Sequence, residues 1–300
     1  MNLESNKKGY AFAILAAAFF GSVSTLAKPS LESINPTLLT CMVYLISAAA
    51  ITPATLHKSM SFRRKDLLLI LGVTISGAVI APLMYFHGLQ ITTASNTAVL
   101  SNMETVFTVA IAILFFKEKL NKIGYIGLVM VTLGGVIVIT DLRLSNFGIQ
   151  LDAGNLLIIG SSLFWALDNN ISKIITKRIS VLKIAQLKSV IGGGLLLAVA
   201  MVTNVPILIK ITEIPFILLL GTVGFAASLY CFLRALKIIG IVKTIVIFAT
   251  SSVFGLIFAV LFLHEEVSIY QIGAIIVMIS GVYLINRKGE IEPTLVPPEY

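Results

Sequence analysis

Two carboxylates stand inside long apolar stretches of this chain. Glu104 lies near the middle of the run from Ala94 to Phe116, and Asp168 lies within a second run from Gly154 to Thr176. An ionisable group at membrane depth costs several kcal/mol unless it is paired, hydrated or protonated, and such positions often mark transport pathways. On a helix, Thr97, Ser101, Glu104 and Thr108 fall at i, i+4, i+7 and i+11 and form one polar stripe. Ser161, Trp165, Asp168 and Ser172 repeat that spacing. Both stripes are expected to face protein or water and not lipid. Glu104 is suited to loading and releasing a proton. Asp168, with the amides of Asn169 and Asn170 beside it, is suited to holding a substrate amine. Trp165 offers a wall on which a planar or cationic ligand could stack, or it packs the core. Ser101, Asn102 and Tyr85 are further candidate lining groups. The other reading of the carboxylates is structural: each is neutralised by a basic partner and only holds helices together. Arg234 is the expected buried partner, whereas Lys173, Lys188 and Lys243 are expected to snorkel to the surface.

The elements that must position these groups are membrane spans. The chain has 300 residues, 57% of them hydrophobic and 12% charged, with a mean hydropathy of +1.00. That is far more apolar than a soluble globular chain. Spans of about 20 residues are read at Tyr10 to Ala27, Pro36 to Leu56, Asp66 to Leu89, Ala94 to Phe116, Ile123 to Thr140, Gly154 to Thr176, Lys183 to Thr203, Glu213 to Leu236, Ile241 to Leu263 and Ser268 to Asn286. The first is read as a span and not as a cleavable leader, because its apolar run outlasts a signal-peptide core. Pro82, inside the third span, should kink it.

The net charge of +8 would fit a nucleic-acid partner if it were clustered. Instead it alternates with topology. With the N-terminus in the cytoplasm, the outer loops hold only Lys28, Arg143 and Lys210, and the other loop and tail Lys and Arg fall inside. The positive-inside rule then places both termini in the cytoplasm of a multi-pass protein of the cell membrane. No nucleic-acid partner is needed to explain the charge. Cys41 and Cys231 are too few and too separated for a disulfide framework or a metal cluster.

The chain also repeats itself. At an offset of about 145 residues Gly9 matches Gly154, Phe19-Phe20 matches Phe164-Trp165 and Lys28 matches Lys173; at about 147, Leu89 matches Leu236 and Glu118 matches Glu265. Five spans per half is an odd number, so the second half enters the membrane from the opposite side. The fold class is therefore all-α integral membrane protein, ten transmembrane helices as two inverted five-helix repeats, 1–144 and 145–287, with a polar, disordered tail at 288–300. Gly127 and Gly134 in the fifth span, and Gly273 and Ser280 in the tenth, put small residues seven apart. They favour close helix packing, within one chain or in a homodimer through spans 5 and 10.

These two halves resemble the EamA-type repeat of the drug/metabolite transporter superfamily. The residues that carry the resemblance are Asn102 to Thr108, Phe116-Lys117-Glu118-Lys119-Leu120 and Gly134-Gly135, with His264-Glu265-Glu266 as the later counterpart. The resemblance implies ten helices, a central cavity lined mainly by spans 1, 3, 4, 6, 8 and 9, and movement of a small metabolite or drug across the bilayer. Many members have a proline where this chain has Glu104 or Thr105.

A secondary transporter that works by alternating access, with no cofactor, is the leading expectation. An intramembrane enzyme with Glu104 and Asp168 as paired acids is a second reading. The chain lacks the Gly-x-Gly-Asp, His-Glu-x-x-His and Gly-x-Ser-x-Gly patterns that would favour it, and it has no P-loop. A membrane binding protein or sensor is a third.

Overall fold

A helix buried in hydrocarbon satisfies its own backbone polar groups, which is why apolar runs of this length fold as helices. The computed structural model describes residues 3–55, 64–116, 122–140 and 152–286. Among them there is no strand. The sequence-predicted tail at 288–300, the charged stretch Lys117 to Leu120 with Glu118, and the boundary between the halves lie outside the described residues.

The helical runs follow in order: α1 (Leu3–Ser30), α2 (Pro36–Thr55), α3 (64–91), α4 (Ala94–Phe116), α5 (Lys122–Thr140), α6 (Ala153–Ile175), α7 (Val181–Val202), α8 (Ile211–Ile239), α9 (241–263) and α10 (Ile269–Asn286). Seven candidate spans, in α1 to α4 and α7 to α9, are long and apolar enough to cross a membrane. In α5 and α10 the apolar stretch is shorter, Lys122–Ile137 and Ile269–Leu284. α6 has the length, but it carries Asn155, Asp168, Asn169 and Asn170 on a buried polar face.

Two pairs of runs depart from a straight helix, and the departures correspond between the halves. α3 widens into a π-helical segment at Ile75–Ile80, immediately before Pro82, and α8 does the same at Leu220–Ala227. In α3 the proline accounts for the widening, since its ring clashes with the carbonyl four residues back and it has no N–H to return. α4 and α9 are each interrupted by a turn, at Ser101-Asn102 and at Ala249-Thr250. The N–H groups of Glu104 and Thr105 reach back only three residues, to Ser101 and Asn102. The uninterrupted stripe expected along Ala94 to Phe116 is therefore two half-helices, and Glu104 sits in the first turn of the second.

Packing also corresponds. α1 lies against α8 and α9, and α6 lies against α3 and α4; α2 packs on α7, and α5 on α10. One apolar cluster joins Leu31, Leu39, Phe86, Leu100 and Leu196, and a second joins Ile51, Ile70, Ile175, Ile184 and Phe232. Leu114, Phe115, Ile126, Val129 and Phe262 point outward, as a lipid-facing belt would.

The α5–α10 contact corrects one expectation from spacing. Gly134 approaches Ala274 and Met278, and Gly281 lies against the Gly127 backbone, while Gly273 and Ser280 face away. The glycine pair of α5 thus meets Ala274, Met278 and Gly281, one position along from the predicted stripe. A Cβ at Gly281 would stand 2.5 Å from the Gly127 carbonyl oxygen, whereas one at Gly273 would meet nothing within 4 Å. Gly281→Val should lower stability by about 1–3 kcal/mol, and Gly273→Ala should change it by less than about 0.5 kcal/mol. Unfolding midpoints in detergent check both.

Candidate functional site

α6 is the element from which the central polar cluster is built. Its N-terminus is fixed by Asp152, which accepts from the Gly154 N–H. Its buried face carries Ser161, Trp165, Asp168, Asn169 and Ser172. The Asp168 carboxylate receives the Lys188 ammonium of α7 at 2.5 Å on one oxygen and the Ser172 hydroxyl at 3.2 Å on the other. Asp168 is 5% exposed and Lys188 2%. Two opposite charges held this closely, away from water, are strongly coupled, and each makes the burial of the other tolerable. Lys188 was expected to snorkel, and Arg234 to supply the buried partner. The structure reverses both roles. Lys188 lies about 10 Å along α7 from its start and is aimed inward. Arg234 is exposed, with its guanidinium over the rings of Phe12 and Tyr230.

Glu104, 5% exposed, sits beside this pair. Its Oε1 accepts from the Asn169 amide at 2.6 Å, and the same amide reaches Thr108 Oγ1 at 3.3 Å. Placement in the first turn of a half-helix sets its carboxylate toward the positive end of the backbone dipole. No cation among the described residues stands within ion-pair distance of it.

These side chains line a cavity of about 570 Å³, its mouth included. Phe20, Tyr44, Trp165, Phe225, Phe232 and Phe248 make up its aromatic wall. The cavity reaches residues of α1 to α4 and α6 to α9, so α2 and α7 join the helices that the family resemblance implied. Its floor is partly backbone. Tyr44 Oη and Trp165 Nε1 both donate to the Gly77 carbonyl, at 2.9 and 3.2 Å. That carbonyl belongs to the π-helical segment: the Ala81 N–H goes to Ser76, and residue 82 is proline. A Cβ at Gly77 would collide with the Asp168 carboxyl group. Glycine is thus required there by close approach.

Of the residues expected at the site, Glu104, Trp165, Asp168 and Asn169 come together in this cavity. Ser101 and Tyr85 line a smaller neighbouring one with Gly21, Ser24, Ala98 and Ser251. Phe20 borders both, and its ring lies 5.4 Å from Trp165, 5.2 Å from Phe248 and 6.2 Å from Tyr85. Asn102 faces elsewhere. Its amide donates to Ser252 Oγ at 2.8 Å and to Met278 Sδ at 3.6 Å, tying the break in α4 to α9 and α10.

Polar contacts join the helix ends around Lys28 and Glu265. Lys28 Nζ donates to the carbonyls of Leu89, Gln90 and Thr92. Glu265 accepts from the N–H groups of Ala94 and Ser95, at 2.8 Å each, and so caps α4. Thr92 donates to Asn155, and Gln90 to the Leu31 carbonyl. The larger cavity runs the other way, past Leu229, Phe232 and Leu233, toward the end that carries Gly240. Gly240 turns the chain there at φ +81°, a conformation suited to glycine.

The EamA-like transporter family model matches residues 7–140 and, a second time, 152–287. A protein of Methanothermobacter thermautotrophicus described as an uncharacterized transporter is 30% identical over 94% of this chain and 87% of its own length. The uncharacterized transporter YyaM of Bacillus subtilis is 24% identical, over 93% of this chain and 95% of its own. A solved crystal structure overlays with a TM-score of 0.68 at 16% identity, covering 93% of this chain and 96% of the other, which is a likeness of fold.

Removing one partner of a buried pair strands the other. Lys188→Met should therefore cost about 3–5 kcal/mol of stability, and Lys188→Met with Asp168→Asn should recover most of that loss. A solvated pair would cost less than about 1 kcal/mol to break. Thermal unfolding of the two variants in detergent distinguishes these outcomes.

Proposed function

The chain belongs to the EamA-like transporter family and is a multi-pass membrane protein, and we propose that it is a secondary active transporter that carries a small molecule by alternating access, with Glu104 as its proton-responsive group. The observation that carries the reading is the buried cluster of Glu104, Asp168 and Lys188 on a cavity inside the helical bundle. Such charges are costly to keep at membrane depth, and in membrane proteins they mark pathways.

The proposed architecture is ten transmembrane helices in two inverted five-helix repeats, 1–144 and 145–287. Its support is the double family match, the paired π-helical segments, the paired breaks in α4 and α9, and packing partners that exchange when the halves are exchanged. Two copies of one pattern entering from opposite sides can open to either side in turn. In the proposed orientation both termini are cytoplasmic, so the Lys28–Glu265 end faces outward and is closed. The larger cavity then leads toward the cytoplasm. Two features favour carriage over chemistry on the ligand: Phe20 lines two neighbouring cavities, and the relatives are described as transporters.

In liposomes Glu104→Gln should keep the wild-type unfolding midpoint and lose accumulation driven by a pH difference, falling to the level of protein-free vesicles. Accumulation that persists in that variant with unchanged pH dependence would return Glu104 to a structural role. Topology has its own test. A cysteine placed at Lys210 should react with an impermeant thiol reagent in intact cells, and failure to react there, with reaction after permeabilisation, would invert the assignment.

A further inference from the structure

We propose that the cavity binds one monovalent organic cation, with an aromatic or apolar body, in strict competition with one proton, so that transport is an electroneutral one-for-one exchange. The inference rests on the transport reading above and adds to it the substrate class and the stoichiometry.

The basis is a charge count. Among the described residues, three charged side chains line the cavity: Glu104, Asp168 and Lys188. Around Glu104, α6 contributes Asp168, α7 contributes Lys188 and α2 contributes the Tyr44 phenol, whose O–H is engaged with the Gly77 carbonyl. α1, α3, α8 and α9 bring no ionisable side chain to the lining. Lys188 and Asp168 neutralise one another at 2.5 Å. Glu104 is left with the neutral amide of Asn169, a hydrogen bond that orients the carboxylate without cancelling its charge. The cavity is therefore short of one positive charge.

One proton on Glu104 satisfies it, and so does one cation beside Glu104. Both together would leave a net positive charge among buried aromatic rings, and neither would leave an unpaired carboxylate, so the two ligands exclude one another. An anion would double the deficit, and a dication would overshoot it. The wall selects among cations. Phe20, Trp165, Phe225 and Phe248 supply aromatic rings, which attract an ammonium and bury an apolar body. Among the described residues there is no group of His, Cys, Asp and Glu side chains able to hold a metal ion.

Trp165 is the chain's only tryptophan and lies on the cavity wall, so intrinsic fluorescence reports this site directly. Purified protein in lipid nanodiscs would be titrated across a pH series with benzyltrimethylammonium, its neutral isostere neopentylbenzene, and phenylacetate. The cation should change the Trp165 emission with an affinity that falls about tenfold per pH unit on the acid side, the slope of one competing proton. Glu104→Gln should weaken binding and abolish that slope. The other two compounds should bind at least about tenfold more weakly than the cation. Equal binding of neopentylbenzene or phenylacetate, or a slope that survives in Glu104→Gln, would overturn the proposal.

Liposome flux separates this inference from the transport reading. Cation binding with the expected slope and no flux would remove transport and keep the cavity assignment. Glu104-dependent flux of another solute, with no cation binding, would remove the substrate class and keep transport. Flux of the cation that responds to an imposed membrane potential would overturn the one-for-one stoichiometry.

Discussion

A lysine and an aspartate, each at least nine-tenths buried, face one another between α6 and α7, and the geometry around them follows from the need to keep them charged where water is scarce. Coulomb attraction at this separation is large in a low dielectric, but desolvation of both partners takes most of it back. The remaining lone pairs and protons must therefore be satisfied locally. Ser172 takes the second Asp168 oxygen from one turn along the same helix. Gly77 makes room, because any Cβ there would occupy the space of the carboxyl group. The pairing ties α7 to α6, and Asn169, the next residue on α6, reaches Glu104 across the cavity. A charge pair on two helices thereby fixes the position of a third ionisable group on α4.

The rest of the bundle divides into parts that hold and parts that can change partners. α5 and α10 bury small residues against each other, with the backbone at Gly281 in close approach to that at Gly127, a contact that leaves little room for other arrangements. The Lys28 and Glu265 contacts are of another kind. A single ammonium is shared among three carbonyls at the end of α3, and one carboxylate caps the start of α4. All of these acceptors and donors are backbone groups at helix ends, which water can satisfy equally well. Releasing them costs little in the hydrogen bonds themselves, which suits the opening that the proposed alternating access requires.

Much of this was legible in the sequence. Apolar runs located the helices, and the recurrence of Glu104 and Asp168 on polar stripes found two of the three charges in the cavity. The third was missed because a one-dimensional pattern reports depth along a helix and says less about rotation around it. Lys188 and Arg234 look alike in sequence, each a base a few residues from a span end, yet one turns inward and the other lies over Phe12 and Tyr230. The break at Ser101-Asn102 was hidden for a related reason, since neither glycine nor proline marks it and its side chains fit a continuous stripe. Asn102 then turned out to hold the break to α9 and α10. Pro82 did announce an irregularity, but whether a proline bends a helix or widens it into a π-turn depends on what packs beside it.

Part of the cavity is not made of side chains. The Gly77 carbonyl, freed by the widened turn before Pro82, holds the tyrosine of α2 and the tryptophan of α6 in place. Replacing residues one at a time changes what hangs from the chain and leaves that oxygen where it is. An alanine scan would register Tyr44 and Trp165 as two separate positions and would not reveal that a single main-chain atom joins them. Only a change to the peptide unit itself, such as an ester in place of the amide that follows Gly77, would weaken both contacts at once.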